Sequence, residues 1–208
     1  MTMVSKKNMV IGVTGSFGCG KSTVARMFKS FGAGIVDADR IARGLIKRNT
    51  RIYRKIVDTF GDNILKRNKE IDRAKLADVV FADRKSLGRL NRIIHPQVIR
   101  IIKRSIKNKS RRIIILDAPL LIEAGLLYLT DRLVVVKSDR KRQVERLLKK
   151  TPLSKCQVLK RIKAQLPLWQ KIRLADFVID NSGKLTMTKK QAREIWAELL
   201  LQKKFLRS

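Results

Sequence analysis

Short apolar runs rich in Val, Ile and Leu alternate along this chain with stretches whose apolar residues recur every three or four positions. Residues 10–14, 34–36, 113–116, 133–136 and 177–179 read as five strands. Runs this short and this uniformly apolar suit strands buried on both faces. Val24, Met27, Phe28 and Phe31 share one face of a helix after the first strand, and Gly32 is placed to end it. Ala192, Ile195, Trp196, Leu199 and Leu200 share the face of a closing amphipathic helix. Strands separated by helices predict a parallel α/β sheet.

Two stretches interrupt the alternation. Residues 42–109 carry helical periodicity and no convincing strand. Asp72 is placed to cap a helix presenting Leu76, Val79 and Val80. Pro96 suits the first turn of another helix, with Ile99, Ile102 and Ile106 on one side. Residues 140–171 read as two helices around Thr151-Pro152-Leu153-Ser154. One carries Val144, Leu147 and Leu148; the other carries Val158, Leu159, Ile162 and Leu166. The expected organisation is one domain, with a core of about 8–41, 110–139 and 172–208. A helical insertion fills about 42–109 and a lid about 140–171. Such a plan suits an enzyme that closes over a nucleotide and a second substrate.

The 208 residues are enough for one domain with a sizeable core. No apolar run approaches the ~18 residues of a membrane span, so no membrane partner is expected. A small polar lead precedes the first strand, with no cleavable apolar signal. Cys19 and Cys156 have no metal spacing and suggest no disulfide framework. A reducing cytoplasm is the expected location. The charge is extreme: 49 Lys and Arg against 17 Asp and Glu give +32. Such a surface attracts polyanions. Nucleic-acid binding is one reading; a general basic bias plus a site for several phosphates is the other. The charges are spread along the whole chain and only 5% of residues are aromatic, so stacking platforms are few. The second reading is favoured, with no specific nucleic acid as partner.

The first strand runs into Gly15-Ser16-Phe17-Gly18-Cys19-Gly20-Lys21-Ser22. Gly, four residues, then Gly-Lys-Ser between a strand and a helix is the phosphate-loop pattern in its confirming context. Gly15, Phe17, Gly18, Cys19 and Gly20 would turn backbone N–H groups inward on an anion, helped by the helix N-terminus. Lys21 would reach the β- and γ-phosphates, the Ser22 hydroxyl would ligate Mg²⁺, and Thr23 would sit under the α-phosphate. The alternative is a chance glycine turn. Cys19 is either a small loop residue, the preferred reading, or a thiol activated by the helix end.

The loop by itself does not choose among ATP- and GTP-using enzymes, but no Asn-Lys-x-Asp guanine signature is present. Asp37 and Asp39 follow the second strand, where carboxylates at the C-terminal edge of a parallel sheet are placed for chemistry. One would accept a proton from an acceptor hydroxyl while the other holds Mg²⁺ or orients the acceptor. For Asp39 the alternative is a helix N-cap.

Further pieces follow in order: Ile41-Ala42-Arg43, Ile71-Asp72-Arg73, Leu76, Val80-Phe81, Ile94-His95-Pro96 and Asp117-Ala118-Pro119-Leu120-Leu121-Ile122-Glu123. After them come Gln143 with Arg146-Leu147, Arg161-Ile162 with Gln165, and Ala175-Asp176 through Asn181 and Gly183. Together with the loop and the Asp-x-Asp pair they resemble the bacterial-type dephospho-CoA kinases over residues 10–183. The resemblance implies a P-loop NTPase fold of the adenylate-kinase kind, a five-stranded parallel sheet flanked by helices, with CoA-binding and lid insertions. It implies transfer of the γ-phosphoryl of ATP to the ribose 3′-hydroxyl of dephospho-CoA, the last step of coenzyme A synthesis. Asp39 would be the base, and Asn181 and Gly183 would lie near adenine.

On the residues' own terms, Arg146 and Arg161 on the lid helices would close on the transferring phosphate, or be ordinary solvated arginines. His95 would contact the acceptor or cap the helix at Pro96. Glu123 would face the acceptor or act behind it. Asp117 would reach Mg²⁺ through water. Three loop residues, Ser16, Phe17 and Cys19, depart from the family pattern, and Lys150 stands where a lid arginine is common. Lys lacks the bidentate fork of Arg. Glu70 replaces a usual Gly. A monomer or weak homo-oligomer is expected. A nucleoside or nucleotide kinase of the same fold, and a basic nucleic-acid-binding switch, are the competing readings.

Overall fold

A computed structural model describes residues 8–205. The polar lead at 1–7 and the Phe81 side chain lie outside what it describes. In chain order the elements are β1 (Met9–Gly15), α1 (Lys21–Ser30), β2 (Gly34–Asp37), α2 (Ala38–Leu45), α3 (Arg51–Phe60), α4 (Arg73–Ala82) and α5 (Arg84–Lys107). They continue with β3 (Ile113–Asp117), β4 (Arg132–Lys137), α6 (Arg140–Lys150), α7 (Lys155–Lys163), α8 (Leu168–Arg173), β5 (Phe177–Asp180) and α9 (Leu185–Phe205). All five strands are parallel, in the order β2-β3-β1-β4-β5. The chain falls into two compact units, one of Met1–Asp37 with Ile106–Ser208 and one of Ala38–Ser105.

The first unit holds the sheet. Ile11 and Val13 of β1, Ile113 and Ile115 of β3, and Val134 and Val136 of β4 are buried in one cluster with Val24 and Phe28 of α1. Ala192 and Leu199 of α9 close it. The rings of Phe28, Phe31 and Trp196 meet at centroid distances of 6.2–6.4 Å. Burial of such side chains contributes about 1.5–3 kcal/mol each. The predicted strand positions and the apolar faces of α1 and α9 are all found. Among the described residues no helix is long and apolar enough to cross a membrane.

The second unit is built of helices around Ile52, Ile56, Ile64, Ile71, Leu76 and Val80. Asp72 caps α4, its carboxylate accepting from the amides of Ala74 and Lys75. Leu76 and Val80 face inward, whereas Val79 is 41% exposed and lies off the buried stripe. The one extended pairing in this unit is an antiparallel bridge between Leu65 and Ile71.

Pro96 does not start a helix. It lies inside α5, so His95 caps nothing there. The true cap is Asp83, whose carboxylate accepts from the Lys85 and Ser86 amides. A proline in a helix interior costs about 3 kcal/mol. Here the ring is exposed, while Val98 and Ile102 beyond it are buried and Leu90, Ile93 and Ile94 before it pack on the unit's core. Burial on both sides carries the helix through.

The stretch after β4 also differs, with three helices rather than two. A capping box of Ser154 and Gln157 opens α7. Leu166 falls outside it, because Pro167 breaks the chain before α8.

Candidate active site

The phosphate loop leaves the C-terminal end of the central strand. Gly18 has φ +83°, and a Cβ there would lie 2.6 Å from the Leu147 side chain, so only glycine fits between loop and α6. Phe17, one of the departures from the family pattern, packs with Leu147, Val158 and Ile162 of α6 and α7. Its amide donates to Gln165 Oε1 at 2.8 Å. The loop is thus fastened to the helices predicted as lid.

Lys21 lies at the mouth of α1 and its ammonium donates to the Asp117 carboxylate. The two side chains are 11% and 9% exposed. Asp117 is in register with Asp37 on β2 and with Val13 on β1, so both carboxylates stand at one level of the sheet's C-terminal edge. Ser22 is exposed beside Lys21, and the Thr23 amide donates to the Gly20 carbonyl.

Asn181 is buried. Its Nδ2 donates to the Cys19 carbonyl at 2.8 Å, and its Oδ1 accepts from the Thr188 hydroxyl at 3.0 Å. The Arg146 guanidinium donates to the Asn181 carbonyl at 3.0 Å. Arg146 and Asn181 therefore converge on the loop, with Gln143 buried beside them. Gly183 and Arg161 are exposed. Asp39, in the first turn of α2 rather than at its N-cap, pairs with Arg43 at 3.7 Å; it and His95 belong to the second unit.

Three participants escape sequence reasoning as site residues. Gln165 and Gln143 lie in matching pieces of the resemblance but carry no obvious chemistry. Lys171 sits in a basic stretch that hides it, yet it is wholly buried against Glu123 at 2.7 Å. Glu123 spends its carboxylate on Lys171 and on the Leu166 amide.

Burial pushes the Cys19 thiol up to about 11, against the opposing pull of the Lys21 amide and the Lys21 and Lys171 charges. A helix N-terminus lowers thiol pKa values and burial raises them; at Cys19 burial is the larger effect. At pH 8 only about one Cys19 in a thousand would be thiolate. Cys156 is exposed. Iodoacetamide at pH 8 is therefore expected to label one thiol per native chain, at Cys156, and two after denaturation. Rapid native labelling of Cys19, read by peptide mass, would contradict this.

Residues 9–187 match the family profile described as Dephospho-CoA kinase. The chain belongs to the dephospho-CoA kinase family. A Carboxydothermus hydrogenoformans dephospho-CoA kinase is 44% identical over 185 residues, covering 88% of this chain and 90% of that one. A Bacillus licheniformis relative of the same name is 43% identical over 190 residues, covering 90% and 94%. Among solved structures, a Thermus thermophilus protein superposes with TM-score 0.82 at 30% identity, covering 92% of this chain and 98% of its own. The dephospho-CoA kinase from Campylobacter jejuni gives 0.65 at 26%, covering 91% and 96%. A Bacteroides thetaiotaomicron shikimate kinase, at 10% identity and TM-score 0.51, shares the fold alone. The five-stranded parallel sheet with its phosphate loop is the fold these kinases have in common.

Proposed function

We propose that this chain transfers the γ-phosphoryl group of ATP to the ribose 3′-hydroxyl of dephospho-CoA, giving CoA and ADP. The observation that carries the reading is the Lys21–Asp117 pair at the loop, level with Asp37, in a chain of this family. Phosphoryl transfer needs positioning and charge neutralisation more than covalent chemistry by the protein. The loop amides and Lys21 hold the phosphates. Arg146, its guanidinium already turned to the loop, offers a fork to the transferring group. Arg161 joins it if residues 140–171 act as a lid, and Lys150 supplies a point charge where the family has an arginine. Asp39 accepts the proton of the 3′-hydroxyl. That oxygen bonds to the γ-phosphorus as the bond to the β–γ bridging oxygen breaks, and ADP leaves. Asp37 and His95 orient the acceptor.

The Ser22 hydroxyl and the Asp117 carboxylate flank the same lysine and are hard oxygen donors of the kind Mg²⁺ takes. Both would hold the ion, Asp117 through water, and the ion would screen the β- and γ-phosphate charge. Mg²⁺ usually keeps several waters and takes one or two carboxylates together with substrate phosphates. The reading places the enzyme in the cytoplasm as a monomer or weak homo-oligomer, with ATP and dephospho-CoA as partners.

The test is coupled ADP release with ATP and Mg²⁺. Dephospho-CoA is expected to turn over at least about a hundredfold faster than adenosine, AMP or cytidylate, and EDTA to stop the reaction. Turnover with a mononucleotide and none with dephospho-CoA would sink the reading.

A further inference from the structure

Lys171 keeps none of its solvent exposure. A buried ammonium is stable only when its partners are close and well aligned. Its Nζ donates to Glu123 Oε1 at 2.7 Å and to the Pro119 carbonyl at 3.1 Å. Both partners lead onward to the phosphate loop. The Pro119 carbonyl also accepts from the Thr14 hydroxyl at 3.0 Å, one residue before the loop. Glu123 Oε1 also accepts from the Leu166 amide at 3.0 Å, and the neighbouring Gln165 accepts from the Phe17 amide at 2.8 Å. Two polar paths thus run from one buried ammonium to Thr14 and to Phe17. They brace Gly15 and Ser16, the turn between them, from both sides.

We propose that Lys171 is a positioning residue for phosphoryl transfer, holding the entrance of the phosphate loop in its binding shape through Thr14 on one side and Gln165 on the other. Aliphatic packing would supply stability there as well, since a buried ion pair is no better than well-packed apolar groups. What the pair adds is direction: each bond fixes a backbone group whose displacement would move the loop. The charge is also felt in the loop, where it works with Lys21 against the burial that raises the Cys19 thiol. A misplacement of about 1 Å at such a site costs on the order of a hundredfold in rate.

The proposal rests on the kinase reading, so the test measures nucleotide binding apart from turnover. Lys171→Met, Glu123→Gln, Gln165→Ala and the Lys171→Met/Gln165→Ala double variant are compared as folded full-length protein. Titration calorimetry gives Kd for Mg²⁺-ADP; steady-state kinetics gives kcat and both KM values; a thermal melt gives Tm. Lys171→Met is expected to weaken ADP binding and raise KM for ATP about tenfold and to lower kcat at least tenfold, leaving KM for dephospho-CoA within about twofold. The double variant is expected to bind ADP no worse than Lys171→Met alone, because Lys171→Met already releases the path that runs through Gln165.

A purely structural role would lower Tm and leave Kd, KM and kcat of the folded fraction within about twofold, which overturns the proposal. Multiplying effects in the double variant overturn it too. If Lys171→Met does not fold, Glu123→Gln alone and combined with Gln165→Ala is judged by the same criteria. In that series a rise in KM for dephospho-CoA with ADP affinity unchanged would assign Glu123 to the acceptor instead. Loss of dephospho-CoA turnover in the wild-type protein, with ADP binding intact, would count against the kinase reading and leave the binding arm to decide this proposal.

Discussion

Asp39→Asn is expected to lower kcat by about 10²–10⁴-fold, the usual worth of a general base, while Kd for Mg²⁺-ATP stays within about twofold. The amide keeps the size of the carboxylate and loses its capacity to take a proton. The ion pair of Asp39 with Arg43 spans 3.7 Å between side chains 46% and 61% exposed. A pair of that kind, four residues apart on a helix surface, is worth about 0.3–0.5 kcal/mol. Loss of that pair alone should move the melting temperature by no more than about 2 °C. ADP release in the coupled assay and calorimetric titration of the non-turning complex read the two halves of the expectation. A variant that retains a third or more of wild-type kcat would remove Asp39 from the proton path and direct attention to Asp37, two residues earlier at the strand end.

Gly20→Ala is expected to damage both fold and nucleotide binding. Gly20 has φ +90°, in the left-handed region where an L side chain is strained by about 1–2 kcal/mol. A Cβ there would lie 2.0 Å from Asn181 Nδ2. Asn181 has no free direction of retreat, because Nδ2 is bonded to the Cys19 carbonyl and Oδ1 to the Thr188 hydroxyl, all within the protein. Pushing it aside leaves buried polar groups unpaired, at about 1–3 kcal/mol for each. At 2–4 °C per kcal/mol for a chain of this size, Tm should fall by roughly 6 °C or more. ATP affinity should fall at least about tenfold, since Cys19 and Lys21 flank the displaced residue. Differential scanning calorimetry and ATP titration check the two effects. Adding Asn181→Gly to Gly20→Ala should return part of the lost affinity if the steric contact is the cause. A Gly20→Ala protein as stable and as tight as wild type would contradict the argument.

Much of the fold was legible because the central strands β1, β3 and β4 are buried on both faces, which writes them as short uninterrupted apolar runs, and the half-buried edge strands β2 and β5 keep shorter ones. Residues 113–116 and 133–136 needed only an end residue or two to become β3 and β4. The helical faces of α1 and α9 were legible for the same reason: one side of each meets the sheet. Pro96 misled because its local rule is strong and its override is tertiary, through Val98 and Ile102 packed inward beyond it. Leu166 misled because an apolar residue at the right spacing looks helical until Pro167 is given its full weight.

The site was half legible. The loop, Asp37, Asp39 and Asp117 announce themselves by residue type at strand ends. Asn181 was expected near adenine as part of a loop; that its side chain bonds to Cys19 and Thr188 could not be read from the sequence. Glu123 and Lys171 gave no sign of pairing: they lie 48 positions apart, and Lys171 is one lysine among many in a chain of 49 Lys and Arg.

The sequence alone determined that β1 ends in a phosphate loop and that carboxylates stand at the neighbouring strand ends. Both follow from local pattern, the spacing of glycines and the placement of Asp after apolar runs. Only the tertiary structure decided what holds that loop. Asn181 locks the Cys19 carbonyl, Phe17 is sunk among α6 and α7, and a buried Lys171 braces the turn from Thr14 to Phe17. Those contacts join residues from 52 to 162 positions apart, and their strength comes from burial, which no local stretch of sequence contains.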